Sequence, residues 1–196
     1  MKKYLLIPTI ALTLFSMICF SCKSKPKDQS AKTQTETTRL LQVDDLLAQA
    51  EKLNGQPIEV EGVCTHICSH GGGKIFLMGS DDTKTIRVEA GKEIGKFQPE
   101  TVNNIVRVKG KLVEERIDEA YLSRWEEEIK TDQAEKHGNS EAGCESEQKA
   151  MGETPADNVQ QRIDNFRKRI AERQEKEGKD YLSFYHIDAE SYQINK

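Results

Sequence analysis

Pro57-Ile58-Glu59-Val60-Glu61-Gly62-Val63-Cys64-Thr65-His66-Ile67-Cys68 carries both the strand signal and most of the candidate chemistry of this chain. Its β-branched residues alternate with polar ones, which is the period of a strand with one buried face. Ile58 and Val60 stand at even positions, whereas Val63 and Ile67 stand at odd ones. A one-residue bulge at Glu61-Gly62 reconciles the two sets, because an extra residue swaps the faces of everything that follows. With that bulge Cys64, His66, Cys68 and His70 share one outward face, since two-residue spacing on a strand means a common side.

Four borderline-soft ligands on one face point to a transition metal, Zn or Cu, because Zn(II) suits mixed nitrogen and sulfur donors and Cu(I) suits thiolate with imidazole. At ~3.3 Å per residue, Cys64 and His70 lie about 20 Å apart on a straight strand, too far to share one ion. The feasible ligand set is His66, Cys68 and His70, with Gly71-Gly72-Gly73 letting the strand end bend. Cys64, His186, Cys144, His137, water or a second molecule would fill the fourth position. A c-type haem needs Cys-x-x-Cys-His, and Ser69 separates Cys68 from His70. Two alternatives stay open. One is a disulfide, with Cys64 and Cys68 about 13 Å apart on an extended strand and therefore dependent on Cys144 as a partner. The other is a set of surface residues without a ligand. Thiol redox chemistry at Cys64 and Cys68 is the least favoured reading, and no catalytic residue is assigned.

Working outward, Asp44 to Gly55 reads as a short amphipathic helix with apolar positions 46, 47, 50 and 53. Lys74–Met78, Thr85–Ala90 and Ile105–Val113 read as strands separated by Gly and Asp punctuation. Gly91 to Asn104 has room for one helical turn. Asp118 caps a helix bearing Leu122, Trp125 and Ile129, and Asp157 caps one bearing Val159, Ile163, Phe166 and Ile170 and ending at Gly178. The basic residues of that second helix, Arg162 to Lys176, alternate with acids and read as a solvated face. Ala134 to Ala156 reads as a loop. Tyr181 to Ile187 supplies a fifth strand, continued by Tyr192 to Ile194 past a bulge at Ala189-Glu190.

Five strands, a helical break between the third and fourth, and the phrases Val60 to Cys68 and Val106 to Glu115 resemble periplasmic bacterial OB-fold domains. The resemblance implies a mainly β, α+β chain over 41–196, with a five-stranded barrel and a helical hairpin inserted at about 118–178. OB-folds host unrelated functions, so it assigns no activity.

The chain starts Met1-Lys2-Lys3 and an apolar run from Tyr4 to Phe20, the pattern of a secretory signal. Cys19-Phe20-Ser21-Cys22 resembles a bacterial lipoprotein lipobox, which implies a signal peptide over 1–21 and a lipidated Cys22 carrying palmitate-type acyl chains. An uncleaved anchor helix is the alternative. Residues 22–40 follow as a polar tether, and Lys23 favours the outer membrane by the same resemblance. The domain is then extracytoplasmic, facing the periplasm or the cell surface, with an envelope protein as a partner. Across 196 residues, 33 acids against 29 bases leave a net charge of -4, which excludes a general nucleic-acid binder. Gly-x-Ser-x-Gly, His-Glu-x-x-His and Walker motifs are absent from the sequence, which disfavours the common hydrolase and nucleotide-dependent classes. Two readings of function follow. The first is a tethered, non-catalytic metal binder; the second is an interaction module that docks an envelope protein.

Overall fold

The computed structural model describes residues 39–68, 71–131, 143–154 and 156–195. In chain order the elements are β1 (Leu40–Gln42), α1 (Val43–Ala48), α2 (Ala50–Leu53), β2 (Pro57–Ile67), β3 (Lys74–Met78), β4 (Thr85–Ala90), a 3-10 turn (Pro99–Thr101), β5 (Ile105–Asp118), α3 (Glu119–Lys130), α4 (Glu145–Ala150), α5 (Val159–Glu177) and β6 (Tyr181–Asn195). β2 pairs antiparallel with β3 on one side and with β5 on the other. β3 pairs antiparallel with β4, β4 parallel with β6, and β6 antiparallel with β5, which closes the sheet on itself. The result is a closed five-stranded mixed barrel, OB-fold-like in its strand order, with β1 added in parallel against Glu59–Glu61.

β3 and β4 have the limits that alternation predicts, and the bulge in the last strand is present. Lys109 faces Ser191 while Gly110 faces Ala189, so Glu190 is the extra residue. Gly110 has no room for a side chain, because a Cβ there would run into the Asp188 carbonyl. β5 continues past Val113 to Asp118, and β6 is one unbroken strand. Their distal halves therefore leave the barrel as a two-stranded arm. β1 was not expected, and Leu40, assigned to the tether, opens it.

The barrel interior is apolar throughout: Ile58, Val60, Ile75, Leu77, Ile86, Val88, Val106, Val108, Leu112 and Ile187 are all buried there, with Val43, Leu46 and Ala50 packed in from the N-terminal helices. Those helices start at Val43, with Gln42 as the N-cap and Asp44 in the first turn. The Asp44 carboxylate is engaged elsewhere, accepting hydrogen bonds from Ser80 N at 2.9 Å and Ser80 Oγ at 2.6 Å. That engagement holds its pKa below the usual carboxylate range.

The insertion builds a second, separate cluster on the arm: Ile117, Leu122, Met151, Ile163, Phe166 and Leu182. Asp118 caps α3 as expected, its Oδ1 accepting from Tyr121 N at 2.8 Å. Asn158, not Asp157, caps α5, with its Oδ1 accepting from Gln161 N at 2.9 Å. Gly178 ends α5 in the left-handed conformation at φ 70°. The segment read as a loop holds the short helix α4, whose flanking residues Cys144 and Met151 are buried.

Candidate functional site

The Cys-His strand is built differently from its sequence expectation. β2 and β5 keep an unbroken register from Pro57 to Val63, so there is no bulge at Glu61-Gly62. Gly62 instead permits a close approach: a Cβ there would sit 2.7 Å from Val43 Cγ2 and 3.0 Å from the Met78 carbonyl. The inner face runs on through Ile58, Val60 and Gly62 to Cys64, whose side chain is fully buried, while Val63 is exposed. The bulge lies one turn of the pleat later, between Cys64 and His66, with Thr65 as the extra residue. Beyond it Ile67 packs on the barrel core, and His66 lies outside with its ring 5.8 Å from that of Phe76.

Cys64 is thereby separated from the other proposed ligands. Burial raises the pKa of its thiol above the ordinary range, despite hydrogen bonding from Thr101, and Sγ donates to the His66 carbonyl at 3.5 Å. A protonated thiol inside an apolar core is a poor ligand and a poor nucleophile. Cys68 is buried at the strand end, where its N–H donates to the Lys74 carbonyl at 2.8 Å. Cys64, Cys68 and Cys144 are free thiols. His70, His137 and Cys22 lie outside the described residues. His66, Phe76, Arg87 and His186 stand side by side across β2, β3, β4 and β6. Three strand spacings of about 4.8 Å put His186 roughly 14 Å from His66, so the two cannot share an ion.

The polar centre of the described residues is Arg87, which the sequence reading missed. It sits between Ile86 and Val88 on the outer face of β4 and is only 9% exposed. Its Nη2 donates to Glu115 Oε2 at 2.6 Å, its Nη1 to Glu147 Oε1 at 2.8 Å, and its Nε lies 3.0 Å from Glu89 Oε1. Burial opposes the charge, yet the surrounding carboxylates, Glu115 foremost, bind the guanidinium proton more firmly than usual. The only sequence signal was three polar residues, Thr85, Arg87 and Glu89, on one face of an otherwise apolar strand.

Among the described residues, Glu89, His186 and Asp188 bring three metal-type ligand atoms within 4.8 Å of one another. Their present partners fit an ion-pair network better than a metal. Arg87 Nη2 lies 3.3 Å from His186 Nδ1, and a guanidinium can only donate. The imidazole proton then belongs on Nε2, 3.3 Å from Asp188 Oδ1. A metal at Nε2 would move that proton to Nδ1, against Arg87. Glu89 is further engaged by Lys74 at 3.6 Å.

A polar cavity of about 560 Å³ lies where α1, α2 and α5 meet the arm, lined by Glu114, Arg116, Arg173, Lys179, Tyr181 and Tyr185 among others. The Tyr181 ring is held between the guanidiniums of Arg116 at 4.4 Å and Arg173 at 5.2 Å. The α5 bases are thus not one solvated face. Arg162 is buried, with its Nε 2.6 Å from Glu153 Oε2, and Arg169 lies over Phe184 at 5.5 Å.

No protein-family model and no curated protein matches the chain. Among solved structures, a crystal structure described as a putative aspartyl-tRNA synthetase from Leishmania major Friedlin is similar over 47% of this chain, at 13% identity and a TM-score of 0.27. This chain spans 19% of that protein's length. The OB-fold-like architecture therefore rests on the strand order and register of the chain itself.

Proposed function

We propose that this protein is a non-catalytic interaction module, tethered by lipid at Cys22 to the extracytoplasmic face of a membrane, where it docks another envelope protein. The observation that carries this reading is the insertion: three helices with an apolar cluster on the arm, of which α4 lies against β3 and β4. The burial of Cys64 and the separation of His186 from His66 weaken the metal reading, whose described donors reduce to His66 and Cys68.

The test uses the full lipidated chain. Cys22→Ser is expected to abolish palmitate incorporation and release the protein from the membrane fraction. Photo-crosslinkers at exposed α5 positions such as Lys168 and Glu172 are expected to give one discrete adduct, and one at Val63 on the barrel none. Adducts absent everywhere, or equal at all three sites, would overturn the docking reading. Stoichiometric zinc or copper in the same preparation, lost in His66→Ala with Cys68→Ala, would restore the metal reading.

A further inference from the structure

α4 lies on the outer face of β3 and β4, and its contacts there resemble those of a bound ligand. The helix has six residues, below the ~12–15 at which helices become even marginally stable alone. It persists because it is packed. Beneath it Phe76 is 1% exposed and Arg87 9%, and on its own side Gln148 is 5% exposed. Phe76 belongs to neither apolar cluster, so its burial comes from the outside of the barrel. Two ionic contacts seat the helix in register: Glu147 Oε1 on Arg87 Nη1 at 2.8 Å, and Lys149 Nζ near Asp82 Oδ2 at 3.6 Å.

Removing α4 would not strand a buried charge. Arg87 keeps Glu115 at 2.6 Å and Glu89 at 3.0 Å, both from the barrel and its arm. The usual penalty of several kcal/mol for breaking a buried ion pair, which arises from the abandoned partner, is therefore largely avoided. Uncovering would instead open the outer face of β3 and β4 to water, and a replacement partner would remove that cost.

We propose that α4 is a built-in occupant of a helix-docking surface on the outer face of β3 and β4, displaced by a partner segment of the same chemistry. That segment is a short helix with a carboxylate for Arg87, a base two residues later for Asp82, and small or apolar contacts over Phe76. The inference rests on the docking function and names its surface and its partner.

The probe is a fluorescent peptide of residues 143–153 with Cys144→Ser, titrated into the full mature chain. In wild type the tethered α4 competes at an effective concentration on the order of mM, so the peptide binds weakly. In Glu147→Lys, which repels Arg87, it is expected to bind at least ~10-fold tighter, and a peptide carrying Glu147→Gln to lose about that factor. Glu147→Gln in the chain serves as a second, isosteric variant. Alkylation of Cys144 in both chain variants is expected to accelerate while that of Cys64 does not. Equal peptide binding to wild type and both variants, indifference to Glu147→Gln in the peptide, or joint acceleration of Cys144 and Cys64 would overturn the proposal. A wild-type dimer formed by exchange of α4 would also overturn it, by making a second copy the occupant. Crosslinks on α5 without peptide binding would leave the docking function standing and remove this surface from it.

Discussion

The barrel and the insertion solve the same burial problem with different materials. Inside the barrel the buried side chains are aliphatic or aromatic apart from the Cys64 thiol and the Thr101 hydroxyl bonded to it, and every barrel strand contributes to the cluster. Among the described residues, the insertion and its arm share a cluster of six buried apolar residues and surround it with arginines: Arg162 stacks 5.3 Å from the Trp125 ring, and Arg169 lies over Phe166 at 5.7 Å. A closed barrel satisfies its backbone hydrogen bonds internally, so its interior can be almost entirely apolar. Helices packed on a two-stranded arm enclose too little apolar volume to do this. Long guanidinium side chains extend their cover with apolar stems and ring contacts, at the cost of needing carboxylates nearby.

That contrast can be broken most forcefully at the two cores. Leu77→Ala and Phe166→Ala are each expected to cost about 3–5 kcal/mol, but in different places. Hydrogen exchange should rise throughout β2 to β6 for the first and be confined to α3, α5 and the arm for the second. Global loss in both would mean that the insertion is part of one cooperative unit.

Next comes the buried pair of the insertion. Glu153 and Arg162 have side chains 5% and 8% exposed and oppose each other at 2.5 Å. Glu153→Gln removes the Glu153 carboxylate from buried Arg162 and should cost about 3 kcal/mol in chemical denaturation. Replacing both by apolar residues should recover most of that loss.

The thiol in the barrel gives a pH signature. Because the folded pKa of Cys64 is raised, its contribution to stability is complete below the ordinary thiol value of ~8.5 and is lost as pH rises above it. Urea midpoints measured at pH 7 and pH 10 should therefore fall more in wild type than in Cys64→Ala. Equal falls would show that Cys64 is not held in the core.

The smallest effect belongs to the outer face of the insertion. Arg167 donates to Glu126 at 2.7 Å and Glu119 at 2.7 Å, and hydrogen bonding to Arg167 lowers the Glu126 pKa to about 2. Any stability from this exposed pair is present above the ordinary carboxylate range and lost as pH falls through about 2. Arg167→Ala should return the Glu126 titration seen by NMR toward ~4.3 while leaving the thermal midpoint almost unchanged in high salt.

Much of the barrel was legible because its signals are local. Lys74–Met78 and Thr85–Ala90 alternate cleanly between punctuating residues, and the bulge at Glu190 announced itself by the misfit between Ile187 and Tyr192. The face of Cys64 was not legible. Parity along β2 was ambiguous, and Gly62, which suits a bulge, equally suits a close contact with Val43 that depends on where α1 docks. Arg87 was invisible for a similar reason, since its partners Glu115 and Glu147 are 28 and 60 residues away in sequence.

Composition and period by themselves indicated an acidic chain with five strands and two helices before the last of them, and the resemblance to OB-fold domains implied their closure into a barrel. These follow from interactions between residues a few positions apart. Tertiary structure alone decided that Cys64 faces the core, that β5 and β6 leave the barrel as an arm, and that α4 settles its glutamate on Arg87. Each of those depends on which distant surface arrives to exclude water, and burial of that kind is a property of the assembled chain.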